Sequence, residues 1–381
     1  MAIREAGKNK YRIEAVIGYN GNQKIRHYET FIGGKKEAEL RESELKLQMK
    51  NNTYVKKTKL TMKELIEEWL EFKKNNIGIK TYKNYELYTK TIIQYMGHIR
   101  LENINAKILE DFYKHLKIKN NLAPKSIKHY YTCITDAFNC AIKWNYVLQN
   151  PNNKVDAPKV PKKQAPYYNT KQVNLLVSHL KNEPLKYQAL ILLALDTAAR
   201  RGELTGLNWS DIDFEDCSVD IYKSSQYVSG YGIYEKDTKS DTSNRKIYIA
   251  ATTIAILKKY QKEELERRLK LGNNWKGSKR VFTNIYGGDM HPDTPSRIIS
   301  TVINNYNKTA EKDKQLHMLN FHGLRHTGIS LLIARGKQHQ VISRKAGHSS
   351  VKITDSIYSH IEDEACFKEL ADTMDIILQA K

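Results

Sequence analysis

His322-Gly323-Leu324-Arg325 is followed by Gly347-His348 and, ten residues after that histidine, by Tyr358. Residues at i and i+3 share a helix face, so His322 and Arg325 can point into one pocket. A tyrosine that follows a cluster of arginine and histidine suits covalent phosphoryl transfer. Its phenolic oxygen would be the nucleophile and the cations would hold a phosphate. Tyr358 is one of 24 tyrosines, so its case rests on its place. It comes after Gly347-His348 and the polar run Thr354-Asp355-Ser356. His326, beside Arg325, reads as a packing or backbone-bonded histidine.

Two further polar stretches stand upstream. In Thr197-Ala198-Ala199-Arg200-Arg201-Gly202-Glu203 an apolar helix ends and a shorter one begins. Glu203 lies three residues after Arg200 and can pair with its guanidinium. The bland alternative is an ion pair at a helix junction. Thr238-Lys239-Ser240-Asp241-Thr242-Ser243 reads as a hairpin turn between a strand at Tyr234 and one at Arg245, with Lys239 at its mouth. Turn lysines are common, so this signal is weak alone.

The chain has 381 residues, enough for two or three domains with cores of their own. Lys and Arg number 63 against 42 Asp and Glu, a formal net charge of +21, which favours a polyanionic partner such as nucleic acid. Cys133, Cys140, Cys217 and Cys366 show no zinc spacing and no CxxC, and are read as free thiols in a reducing compartment. No apolar signal region opens the sequence, and no run of eighteen apolar residues occurs. The expected location is the cytoplasm, at the nucleoid when bound to DNA, with no membrane partner.

Residues 1–55 read as a small unit. Tyr11 to Tyr19 alternates, Asn20-Gly21 is a strong hairpin signal, Asn22 to Phe31 returns, and Lys35 to Lys50 is helical. A two-stranded ribbon fits a DNA major groove, which makes Arg12, Lys24 and Arg26 candidate contacts; a solvated hairpin is the plain alternative. After the linker Lys56–Lys59, residues 60–155 read as a four-helix module that opens on the capping box Thr61-Met62-Lys63-Glu64. Its helices are expected from Thr61, over Thr81 to Met96, Ala106 to Leu116, and Pro124 to Val147. Lys80, Lys83, Lys90, Lys125 and Lys128 decorate it and are weak candidates for DNA contact. A Pro- and Lys-rich linker leads to residues 166–381, mainly helical with a small sheet and an apolar stripe from Phe367 to Leu378. The fold class is α+β and multidomain.

Taken together, these residues resemble the tyrosine recombinase (phage integrase) family, of the phage or conjugative-element type, from about residue 10 to 378. The resemblance implies an N-terminal arm-binding domain, a helical core-binding domain of SAM-like type, and a catalytic domain with a small antiparallel sheet. It puts Arg200 and Arg325 on the scissile phosphate, with Glu203 as the acidic supporter. It makes Lys239 the catalytic lysine of a β-hairpin, His322 and Arg325 the HxxR box, His348 the second histidine and Tyr358 the nucleophile. His322 is the expected base, Lys239 the acid for the leaving 5′ oxygen, and His348 a donor to a nonbridging oxygen. Ala198 departs from the family, which usually has Gly there, a small-for-small change.

No metal or cofactor is expected, since paired arginines can carry the charge stabilisation. Implied partners are double-stranded DNA attachment sites, a homotetramer docked through the C-terminal helix, a host DNA-bending protein and a directionality factor. A type IB topoisomerase and a catalytically silent DNA-binding regulator are the rival readings. The N-terminal ribbon argues against the first, because a second DNA-binding module suits recombination between separate sites.

Overall fold

The computed structural model describes residues 2–20, 23–50, 59–161, 165–237 and 244–355. Gly21, most of the first linker, Lys239, Tyr358, Cys366 and the C-terminal stripe lie outside the described residues, as does the side chain of Lys24. The chain divides into two units, Met1–Pro161 and Lys162–Lys381.

The first unit opens with β1 (Ala2–Gly7), β2 (Lys10–Asn20) and β3 (Gln23–Ile32), an antiparallel sheet in the order β1-β2-β3. Asn20 pairs with Gln23, the register a two-residue connection demands. α1 (Lys35–Lys50) packs on the sheet, with Ala38, Leu45 and Ile13 buried between them.

Four helices follow: α2 (Met62–Lys74), α3 (Ile79–Met96), α4 (Ala106–Ile118) and α5 (Pro124–Lys143). The capping box at Thr61 forms: its backbone N–H donates to Glu64 Oε2 at 2.7 Å, and Glu64 N–H donates to Thr61 Oγ1 at 3.3 Å. Met62, Leu65, Ile66 and Trp69 of α2 enter one core with Phe112 and Phe138. α5 stops at Lys143, short of the expected Val147, because Asn145 turns left-handed at φ 60°.

The second unit begins with α6 (Thr170–Leu180), α7 (Leu185–Thr197) and the short α8 (Arg201–Thr205). β4 (Ile212–Asp213), β5 (Ser218–Ile221), β6 (Lys223–Val228), β7 (Gly232–Asp237) and β8 (Arg245–Tyr248) come next. The sheet corrects one expectation. β7 pairs with β6, whereas β8 pairs with β5 in the sheet β4-β5-β8. The strands on either side of residues 238–243 therefore belong to different sheets, and the expected turn itself lies outside the described residues. The hairpin turn falls at 229–231, with Gly230 inside it at φ 84° and Gly232 at the start of β7 at φ 81°.

α9 (Ala251–Leu271), α10 (Thr294–Thr309), α11 (Phe321–Ile333) and α12 (His339–Ala346) complete the named helices, and residues 351–355 are helical. α7 is buried nearly all round and packs against α9 and α11. Among the described residues, no helix is long and apolar enough to cross a membrane.

Candidate active site

α7 ends abruptly. Ala198 takes the left-handed conformation at φ 51° and is 1 % exposed, and Arg200 then caps α8. Glu203 reaches back from the first turn of α8. Its Oε2 accepts from the Arg200 backbone N–H at 2.9 Å, and its Oε1 accepts from Arg200 Nη1 at 2.8 Å. The pairing expected from the sequence spacing is present. Glu203 also accepts from Nη2 of Arg245, at the start of β8, at 2.8 Å. Burial raises the Glu203 carboxyl, but the charge and hydrogen bond of Arg245 outweigh it, aided by the Arg200 N–H and charge. The group rests below the usual carboxylate range.

α11 carries His322 and Arg325. Asn320 caps this helix, accepting from Gly323 N–H at 2.9 Å. The helix can lie close to α7 because Gly328 has no side chain: a Cβ there would stand 2.3 Å from the carbonyl oxygen of Leu195. Arg325, 3 % exposed, donates through Nη1 to Ala198 O at 2.6 Å and to Ala346 O at 2.7 Å. It thus ties the end of α7 to the end of α12.

The end of α12 is held by arginines from three different elements. Arg245 Nε donates to Lys345 O at 2.7 Å, Arg325 Nη1 to Ala346 O, and Arg200 Nη2 to Gly347 O at 2.6 Å. Carbonyls at a helix C-terminus lack partners within the helix and carry partial negative charge, so guanidinium groups suit them. Gly347, left-handed at φ 68°, then turns the chain so that His348 follows.

His348 Nδ1 lies 2.8 Å from the hydroxyl of buried Thr354. Burial, then the charges of Arg325 and Arg200, push His348 down to about 4. His322 is open to solvent, and its ring meets that of His326 edge to face at 4.7 Å. Partial loss of water, then Arg325, Arg200 and Arg201, hold it below the usual imidazole range. Burial, then His322 and Arg325, push His326 down to about 4. All three rings are neutral near pH 7, the state in which an imidazole accepts a proton.

Arg200, Glu203, His322, Arg325 and His348 are therefore neighbours in space, whereas Lys239 and Tyr358 lie outside the described residues. The sequence placed Arg245 only as the opening residue of a strand. Nothing local marks it, because its partners are 42 and 100 residues away. Among the described residues, no group of three or more His, Cys, Asp or Glu side chains is placed to hold a metal ion.

In the first unit, Arg12 and Arg26 are exposed on the ribbon. Arg12 lies over the Tyr28 ring at 4.8 Å, and Arg26 pairs with Glu14 at 2.8 Å. On the helical module Lys80, Lys125 and Lys128 are exposed, and Lys83 pairs with Glu86 at 2.6 Å.

Comparison with known proteins identifies the family. Residues 61–155 match the phage integrase SAM-like domain, and residues 167–365, more than half of the chain, match the phage integrase family. The chain is 27% identical to a XerC-like tyrosine recombinase of Caldanaerobacter subterraneus subsp. tengcongensis, over 93% of each protein. It is 24% identical to the ICEBs1 integrase of Bacillus subtilis, over 99% of this chain and 100% of that one. In fold it is similar to the Tn1549 transposon integrase solved in complex with transposon right end DNA. The TM-score is 0.69 at 20% identity, over 82% of this chain and 99% of that one. A lambda integrase dimer bound to a core site gives 0.56 at 17% identity, over 77% and 97%. With the family model matched over more than half its length, the chain belongs to the phage integrase family of tyrosine recombinases.

Proposed function

We propose that this recombinase binds double-stranded DNA at attachment sites of a mobile element, cuts it through Tyr358 and rejoins it to a new partner. The phenolic oxygen bonds to phosphorus, the bond to the 5′ oxygen breaks, and a 3′-phosphotyrosyl link remains. The phenol's proton passes to His322, and the 5′ oxygen takes one from Lys239 to leave as a hydroxyl. The 5′ hydroxyl of a partner strand then reverses the step. The link conserves the bond energy, so ATP is not consumed.

One observation carries this reading. Arg200, the His322–Arg325 pair and the turn before His348 come from three stretches of sequence, yet Arg200 and Arg325 meet at the end of α12 with His322 within reach of their charge. Two guanidinium groups beside neutral imidazoles suit a phosphoryl transition state, whose negative charge spreads over the nonbridging oxygens. If the Thr354 hydroxyl donates to His348 Nδ1, the neutral ring carries its proton on Nε2, where it can donate to such an oxygen. The arginine pair supplies the charge a metal would otherwise bring.

Around this centre, residues 1–55 act as an arm-binding module through Arg12, Lys24 and Arg26. Residues 60–155 grip the core site with Lys80, Lys83, Lys125 and Lys128, and residues 166–381 perform the chemistry. Strand exchange takes place in a tetramer joined through the C-terminal segment, at the nucleoid in the cytoplasm. A DNA-bending protein and a directionality factor bias its outcome.

Covalent trapping tests this. A nicked suicide duplex spanning the joined ends of the element is incubated with the protein and run on a denaturing gel. The expected result is a protein–DNA band that survives EDTA and vanishes in Tyr358→Phe, while that variant still binds DNA. Relaxation of supercoiled plasmid at any sequence would instead mark a topoisomerase. Binding with neither cleavage nor relaxation would mark a silent regulator.

A further inference from the structure

Arg245 stands outside the residues that the cleavage step uses, yet it touches two of their supports. Glu203 orients Arg200, and an acid so placed has a cost. A carboxylate beside a phosphate-binding guanidinium also cancels its charge. The side chain of Glu203 is 2% exposed and that of Arg200 is 42% exposed. Left as a pair, they would offer DNA a neutral unit. Arg245 adds a second guanidinium on Glu203 Oε2, with its own side chain only 7% exposed. The three groups then sum to one positive charge, and the exposed member is Arg200.

The same side chain braces the turn after α12. Arg245 Nε donates to Lys345 O at 2.7 Å, and a Cβ added to Gly347 would stand 2.7 Å from Arg245 Nη1. The guanidinium therefore lies against the backbone from which His348 follows. A planar group with donors on several edges serves both partners in a fixed geometry, whereas an ammonium is a compact point charge.

We infer that Arg245 is a positioning residue for cleavage: it offsets the buried Glu203 carboxylate so that Arg200 keeps its charge for the scissile phosphate, and it holds the turn that precedes His348. This rests on the reading of Arg200 as the phosphate-binding arginine.

The test uses the full chain and two suicide duplexes, one with an ordinary scissile phosphate and one with a neutral methylphosphonate there. Single-turnover adduct formation is compared for the unaltered protein, Arg245→Met, Arg245→Lys, and Arg245→Met combined with Glu203→Gln. On phosphate, Arg245→Met slows cleavage by about 10²-fold, the scale of losing one charge-stabilising group. On methylphosphonate its deficit shrinks to about threefold, because no nonbridging charge calls on Arg200. Arg245→Lys stays within about tenfold of the unaltered protein on phosphate, and Glu203→Gln restores about tenfold to Arg245→Met.

Equal deficits on both duplexes, with Arg245→Lys as slow as Arg245→Met, would reduce Arg245 to a structural residue and overturn the inference. So would unaltered rates in every variant. If Arg245→Met fails to fold by its melting curve, Arg245→Lys and Arg245→Gln carry the same comparison. If the unaltered protein forms no Tyr358-dependent adduct, the cleavage reading itself falls and takes the inference with it. If the adduct forms and only the Arg245 pattern fails, the inference alone falls.

Discussion

Each unit of this protein buries a polar network, and the two differ in what they leave over. In the first unit Asn152 is fully buried. Its Nδ2 donates to Tyr131 O at 3.1 Å and to Thr135 Oγ1 at 2.7 Å, and its Oδ1 accepts from Tyr113 Oη at 2.7 Å. Asn150 beside it donates to Thr135 O at 3.0 Å and to Asn139 Oδ1 at 2.9 Å. Every member is neutral, and together they pin residues 150–155 onto α4 and α5. In the second unit Arg200, Glu203, Arg245 and Arg325 fasten backbone in the same way, but with charged groups and two positive charges in excess. Both networks satisfy buried polar atoms, which fixes a unique arrangement. A cation that remains at the surface of a buried network is what turns a fastening into a site.

The sharpest break in that comparison is Arg325→Ala. Two carbonyls lose their donor, and the phosphate loses a guanidinium. Adduct formation should fall by about 10³-fold, and stability by about 3 kcal/mol. Single-turnover trapping and a urea melt read the two losses separately. A stability loss with an unchanged rate per folded molecule would make the charged network as purely structural as the neutral one.

Asn152→Ala is the mirror experiment. It strands the Tyr113 hydroxyl, removes the amide donor from Thr135 Oγ1, and should cost about 3 kcal/mol in a urea melt. The cleavage rate of the folded fraction should stay within about twofold, since the site lies on other elements.

A gentler probe is pH. His326 and His348 sit at about 4 in the folded chain, against an ordinary imidazole value near 6.5. Below about 6.5 the unfolded chain takes up protons that the folded one refuses, so unfolding is favoured. Their contribution to stability is whole above that value and is lost as pH falls toward 4. The melting temperature should drop over that window, and His348→Gln should flatten the slope. A slope unchanged by His348→Gln would place the titration elsewhere.

The smallest effect concerns Ala198. Its left-handed backbone strains an L residue, so the position explains a glycine and makes the alanine less innocent than a small-for-small change. Ala198→Gly should stabilise by about 0.5 kcal/mol, the strain relieved less the buried methyl lost. A destabilisation in a thermal melt would show that the methyl, which faces Gly328, matters more.

Much of this was legible in the residues themselves. The capping box at Thr61 and the Arg200–Glu203 spacing are local patterns that take their expected form, and His322 and Arg325 lie on one helix as their spacing predicts. The strand at Tyr234 was legible as a strand, but its partner was not. Alternation tells which face a residue takes and says nothing about which strand lies alongside. The same limit hid Arg245, whose two partners lie far along the chain.

The sequence alone therefore determined the family, most of the helices and the residue types, because caps, turns and helical faces depend on neighbours within about four positions. Tertiary structure decided that three arginines would meet the last carbonyls of one short helix, and that one of them would stay exposed. Those outcomes follow from how closely α11 approaches α7 and from which strand pairs with β5. Both are set by packing between distant segments, which no local pattern encodes.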